Sequence, residues 1–201
     1  MKSPFNPEIQ NKNIDAKIIA ALERISEVFR VLLWEKSKRV KLSPIQIQIL
    51  IFLKYHHLKY CTVNSLAEEF NMTAPTISDA VKIMVNKNLI KKIKNSKDKR
   101  FQFLKITARG ERLINNIYLF VEPLLFSIQK INIKEKESLL SSLLQIIADL
   151  NAREILITRR MCFTCTFLNK NNNEFYCNLL EIKLNPVDLR IDCPEHQPVS
   201  K

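Results

Sequence analysis

Apolar positions recur along this chain in two rhythms. Ile14, Ile18, Leu22, Ile25, Phe29 and Leu32 follow one another at steps of three and four, the spacing of a single stripe on a long amphipathic helix. A second helix opens at Ser43-Pro44. Ser43 suits the N-cap, Pro44 suits the first helical position, and Gln46 completes a capping box. Its body, Ile45 to Leu53, is nearly all apolar and is expected at the centre of the core. Two shorter helices are expected over Val63–Phe70 and Ala74–Lys87. Asn71-Met72-Thr73 lies between them, with Asn71 placed for a left-handed turn and Thr73 placed to cap; Asn88 suits the same left-handed role after the second helix. From Leu89 the period changes, and Ile90–Lys94 and Arg100–Ile106 read as strands joined by Asn95-Ser96-Lys97-Asp98, a hairpin. Thr107 caps a further long helix with Leu113, Ile117, Val121 and Leu124 on one face, bent or ended near Pro123. A last long helix is expected from about Ile133 to Ile157, with Leu139, Leu143, Ile146 and Leu150 apolar. Beyond Arg160 the pattern breaks into Asn-rich, Pro-containing sequence with too few apolar residues to fold on burial alone.

Composition changes this picture at three points. A chain of 201 residues buries one good core or two small ones, which divides it here into a main domain over 1–158 and a tail over 159–201. Its 32 basic against 20 acidic residues give +12, a charge that favours a polyanionic partner, either nucleic acid or an anionic membrane surface. No apolar run reaches transmembrane length and Met1-Lys2-Ser3-Pro4-Phe5 begins no signal peptide, so a cytoplasmic protein without a membrane partner is expected. Glycine occurs once, as Gly110. That removes any glycine-rich phosphate loop and moves the tight turns onto Asn and Asp.

Helix, three-residue turn, helix and basic hairpin follow in the order of a winged helix-turn-helix, with a core at about 40–107. In such motifs the second helix lies in the major groove and offers its N-terminal residues to base edges. Here that stretch is Thr73-Ala74-Pro75-Thr76-Ile77-Ser78-Asp79-Ala80, mostly small or hydroxylated. Ile77, Val81 and Met84 are expected to face inward, and Lys82 to reach phosphate. From Lys82 to Arg100 the basic residues are Lys82, Lys87, Lys91, Lys92, Lys94, Lys97, Lys99 and Arg100, opposed only by Asp98. That excess falls where a phosphate backbone would run.

The segment Val63-Asn64-Ser65-Leu66-Ala67-Glu68-Glu69-Phe70 through Leu89-Ile90 resembles the MarR family of winged-helix regulators. So do Leu42-Ser43-Pro44-Ile45-Gln46, the wing ending Asp98-Lys99-Arg100, and Leu104-Lys105-Ile106-Thr107-Ala108-Arg109-Gly110. The similarity covers about residues 14–155. It implies a homodimer built from the first and last long helices, bound to a pseudo-palindromic operator. It also implies that Asp98 orients Arg100 toward the minor groove. A wing without glycine and Asp79 on the recognition helix depart from the family pattern. An acid there repels phosphate, so Asp79 is expected to accept from a cytosine amino group or to cap locally. The DNA-binding set is therefore Thr73, Pro75, Thr76, Ser78, Asp79, Lys82, Lys97, Lys99 and Arg100.

Four of the five cysteines crowd the tail: Cys162-x2-Cys165, eleven residues, Cys177, fifteen residues, Cys193. A CxxC pair followed by two spaced thiols is a metal signature, because four thiolates satisfy tetrahedral zinc. His196 is a fifth candidate ligand. A tail with little core needs such a staple, and metal binding contributes directly to folding. An iron–sulfur cluster is the rival occupant, its spacing here being similar to that of high-potential iron–sulfur proteins; thiol redox switching and unrelated buried cysteines remain beside it. Cys61 reads as a small buried residue, and His56 and His57 as structural.

These readings define a mainly α chain with a small β-hairpin wing, a helical dimerisation region and a small irregular cysteine-rich C-terminal module. The function they favour is sequence-specific binding of double-stranded DNA as a homodimer, with the metal structural or sensory and a small-molecule or redox effector as further partner. An enzyme is not expected. A thiol oxidoreductase needs a strand–helix setting for its CxxC, and a hydrolase needs an open metal position, and neither is visible. An RNA-binding or architectural protein is the third class, but exposed stacking aromatics are limited to Phe101 and Phe103 on the wing.

Overall fold

A computed structural model describes residues 3–94, 102–156, 160–171 and 174–199. Helix α1 (Pro7–Lys12) leads into the 27-residue α2 (Ile14–Val40), followed by α3 (Pro44–Tyr55), α4 (Val63–Glu69) and α5 (Ala74–Asn86). Strands β1 (Ile90–Lys94) and β2 (Gln102–Ile106) form the hairpin, then α6 (Ala108–Ile114), α7 (Glu122–Gln129) and α8 (Ile133–Ala152) complete the helical part.

Local chemistry accounts for the element boundaries. The Ser43 side chain accepts from the Gln46 amide while Gln46 returns the bond to the Ser43 amide, the expected capping box. Helix α4 closes with Asn71 at φ 50°, the Asn71 amide donating to Glu68 and the Met72 amide to Ala67. Helix α5 closes identically through Asn88 (φ 55°), with Leu89 donating to Met84. Both are Schellman closures with Asn in the place usually held by Gly. Aspartate takes no such position among the described residues; the other left-handed sites are Lys41, Glu154, Arg160 and Glu181.

The main core joins α3, α4, α5, the hairpin and α6. Ile47, Ile49, Leu50, Leu66, Ile77, Met84, Ile90, Leu104 and Ile114 are fully buried in it. The hairpin is antiparallel, Ile90 opposite Ile106 and Lys94 opposite Gln102. Gly110 lets α6 pass close beneath it: a Cβ there would lie 2.2 Å from the Leu89 carbonyl oxygen and 2.7 Å from Ile106.

Three expectations are corrected. The long helix after Thr107 is broken: α6 stops at Ile114, a 3-10 turn spans Tyr118–Val121, and Pro123 starts α7 instead of ending a helix, as suits a residue without an amide to donate. Helix α8 stops at Ala152, where Glu154 turns left-handed and Ile155 donates back to Leu150. The chain beyond Arg160 is not irregular. It forms a three-stranded antiparallel sheet, β3 (Leu168–Asn171), β4 (Glu174–Cys177) and β5 (Ile182–Leu184). Met161, Phe175, Leu184 and Leu189 of this segment bury themselves with Leu144 of α8, so its core is borrowed from a helix that periodicity assigns to the preceding domain.

Candidate nucleic-acid interface and cysteine pocket

Helix α5 divides its residues cleanly between two surfaces. Ile77, Ala80, Val81 and Met84 are buried against the core, while Thr73, Pro75, Thr76, Ser78, Asp79 and Lys82 are exposed. Thr73 caps the helix, its hydroxyl accepting from the Thr76 amide and bonding the Thr76 hydroxyl at 2.8 Å. Pro75 stiffens the first turn. The exposed N-terminal end therefore offers hydroxyls and the positive end of the helix dipole on one surface. The Asp79 side chain is exposed and makes no hydrogen bond or ion pair among the described residues.

Beside α5, the hairpin carries Lys91, Lys92, Lys94 and Lys105 exposed, with Ile90, Leu104 and Ile106 turned inward. The Leu104 amide donates to the Cys61 carbonyl at 2.7 Å, tying the hairpin to the segment before α4. Lys87 folds back, its ammonium donating to the Lys41 carbonyl at 2.7 Å, a cap on the end of α2. Lys97, Lys99 and Arg100, with Asp98, lie outside the described residues.

The four tail cysteines line one pocket of about 20 Å³, together with Leu168 and Leu184. They come from four places: a 3-10 turn (Cys162), the residue after it (Cys165), the end of β4 (Cys177) and the stretch before Pro194 (Cys193). The Arg190 amide donates to Cys162 Sγ at 3.1 Å, and its guanidinium to Cys193 Sγ at 3.5 Å. Burial, and then the three neighbouring thiols, push the Cys162 thiol up, against the pull of the Arg190 amide. Four such groups in an apolar pocket repel one another once ionised, and a cation relieves that repulsion. No three His, Cys, Asp or Glu side chains among the described residues are placed so that they could hold a metal ion. The four thiol donors are nonetheless the set that a tetrahedral thiophilic ion takes. His196 turns away, its Nε2 set at 3.0 Å from both the hydroxyl and the carbonyl of Thr164.

Cys61 is buried apart from these, with its thiol pushed up to about 11 by burial and donating to the His57 carbonyl. Its expected role as a small core residue agrees with that setting.

A cluster without any sequence signal joins the tail to the helical core. Arg160, its side chain 5% exposed, donates from Nε to Asp192 at 2.7 Å and from a terminal nitrogen to Glu69 at 2.8 Å. Its guanidinium lies over Phe52 and Tyr60, 5.2 and 5.3 Å from the ring centres. His56 stacks on Phe52 and meets the other oxygen of Asp192. Burial opposes ionisation of Asp192, but hydrogen bonds from Arg160 and His56 outweigh it and hold the carboxyl below its usual range. His56, expected to be merely structural, is thus a bridge between α3 and the tail. The partners stand 91, 32 and 136 residues apart.

Residues 41–100 match the MarR family model. The fold is similar to that of S. aureus MepR in its DNA-binding conformation, at 19% identity and TM-score 0.59, covering 66% of this chain and 98% of that one. It is also similar to MepR in the S. aureus MepR–DNA complex, at 21% identity and TM-score 0.57, covering 65% and 96%. No curated protein matches the sequence. No described helix is long and apolar enough to cross a membrane.

Proposed function

We propose that this chain, through the winged helix that its MarR-like segment forms, is a transcriptional regulator that reads double-stranded DNA as a homodimer on a pseudo-palindromic operator. The observation that carries this reading is the split face of α5, where the exposed set Thr73, Pro75, Thr76, Ser78, Asp79 and Lys82 is held outward by Ile77, Val81 and Met84. In the major groove Thr76 and Ser78 contact base edges, Asp79 accepts from a cytosine amino group, and Lys82 contacts phosphate. The hairpin lysines extend the positive surface along the backbone. Lys97 and Lys99 take phosphates there, and Arg100, oriented by Asp98, enters the minor groove. Support for the DNA-binding class comes from the family match over 41–100 and from the fold shared with a DNA-bound protein.

Cys162, Cys165, Cys177 and Cys193 form a tetrathiolate site for zinc in this proposal, supported by four thiol donors lining one pocket and by the Arg190 N–H bonds to sulfur. Four thiolates leave no open position for substrate, so the site organises the tail and performs no chemistry.

Selection of bound duplexes from a randomised library, followed by fluorescence anisotropy at fixed salt, tests the DNA reading. The expected result is an inverted repeat with half-sites about one DNA turn apart. Equal affinity for selected and bulk duplex would leave only a non-specific nucleic-acid binder.

A further inference from the structure

Metal occupancy and DNA reading concern two separate parts of the chain, and the Arg160 cluster lies between them. Glu69 is the last residue of α4, immediately before the turn that launches α5. Arg160 stands two residues before Cys162, and Asp192 stands directly before Cys193. The Cys193 amide donates to the Arg160 carbonyl at 2.7 Å, and the Cys162 amide to the Arg190 carbonyl at 3.0 Å. Two of the four thiols are therefore carried on the strands of chain that carry the two halves of the ion pair.

We propose that Arg160 is a clamp by which zinc held at Cys162, Cys165, Cys177 and Cys193 orders the α4–turn–α5 unit, so that metal loading tunes DNA recognition. The inference rests on the reading of these cysteines as a metal site. Its physical basis is the demand made by a buried guanidinium. Arg160 is 4% exposed and satisfied by one carboxylate from each side, Glu69 from α4 and Asp192 from the tail. Such a charge is stable only while both carboxylates stay in register. Closing Cys162 and Cys193 onto one ion fixes the separation of Arg160 from Asp192, adding to the amide bonds from Cys193 to Arg160 and from Cys162 to Arg190 that already join the two segments. Arg160 also holds φ 67°, a backbone conformation that a non-glycine residue keeps only where its surroundings over-determine it. With the tail released, Glu69 loses its Arg160 partner and the end of α4 keeps only its Schellman closure and its core packing through Leu66 and Phe70. By linkage, DNA binding tightens the hold on zinc by the same factor that zinc tightens the hold on DNA.

Hydrogen–deuterium exchange on the full chain tests the clamp, comparing thiol-reduced, chelator-treated protein with the same protein reloaded with one zinc sulfate per chain. Zinc is expected to slow exchange of amides in 63–86 by at least about fivefold, the lower end of ordinary site-to-site coupling. Asp192→Ala removes the tail's carboxylate and Glu69→Gln the charge on α4, while leaving all four cysteines. Both are expected to take up one zinc and to lose the slowing in 63–86. If Asp192→Ala fails to load zinc, Glu69→Gln alone decides. Stoichiometric zinc in the unaltered chain without any change in 63–86 would overturn the clamp and leave the metal site standing. Persistence of the slowing in Glu69→Gln would also overturn it. Failure of the unaltered chain to take up zinc would overturn both clamp and metal site.

Discussion

Gly110 is the chain's single glycine, and it is used for proximity, not for an unusual backbone angle. Its amide is capped by Thr107, and its α-carbon faces the Leu89 carbonyl across a gap that no side chain can enter. Every left-handed position is filled by another residue type, Asn71 and Asn88 among them, because a left-handed turn costs an asparagine little, whereas a 2.2 Å contact with backbone cannot be relieved by a rotamer. Gly110→Ala is expected to destabilise the winged helix by about 3 kcal/mol, the upper range for overpacking, read as a shifted midpoint in urea denaturation. An unchanged midpoint would mean that α6 can slide from the hairpin at no cost. Asn88→Gly, in contrast, is a change that the same turn accommodates.

Among the elements, α5 combines a fixed position with an exposed surface of separable tasks. Its inward face touches the core at four buried positions, so truncating an outward side chain leaves the helix in place and isolates the contact. Lys82→Ala is expected to weaken binding to operator and bulk duplex alike and to reduce the slope of log K against log salt by about 0.9, the share of one phosphate contact. Ser78→Ala is expected to lower operator preference by about fivefold, the equivalent of one ordinary hydrogen bond, with the salt slope unchanged. Anisotropy titrations across a salt series measure both. The reverse assignment, salt slope moved by Ser78 and preference moved by Lys82, would turn α5 around its axis relative to the groove.

Helices α2 and α8 have the opposite character. Among the described residues α2 buries only Ala16 and Ser37, and α8 buries only Leu144. Ile14, Ile18, Leu22, Ile25, Phe29 and Trp34 of α2 stand exposed, as do Phe126 of α7 and Ile133 of α8, Ile14 at 72% and Ile133 at 66%. An exposed apolar surface of this kind marks an interface, and a two-fold dimer is the arrangement expected to cover it with the same surface of a second copy. Sedimentation velocity at micromolar concentration is expected to give a dimer, and Ile25→Asp to shift it to monomer while the helical circular dichroism is kept. A stable monomer of the unaltered chain would remove the two-fold geometry from the DNA reading.

Much of the helical part was legible in the sequence, because its determinants are local. The Ser43–Gln46 capping box, the asparagine closures after α4 and α5, the limits of β1 and the inward residues of α5 each depend on side chains within a few positions of one another. Cysteine spacing likewise drew attention to the four thiols that line one pocket. Periodicity misled where two short helices share a continuous apolar stripe, as at α6 and α7, because the stripe persists through a break in the backbone. It also missed the C-terminal sheet, since β3, β4 and β5 have three or four residues each and bury Phe175 and Leu184 with Leu144 of α8, a partner outside the tail. The Arg160 cluster lay wholly beyond reach of the sequence. A salt bridge has no period and no fixed spacing, and only the packing of the tail on α3 and α4 brings Arg160, Glu69, Asp192 and His56 to one place. Local chemistry thus determined which segments become helices and where α4 and α5 close, while the encounter of distant segments decided which charges must be buried together, because that depends on the three-dimensional path of the chain.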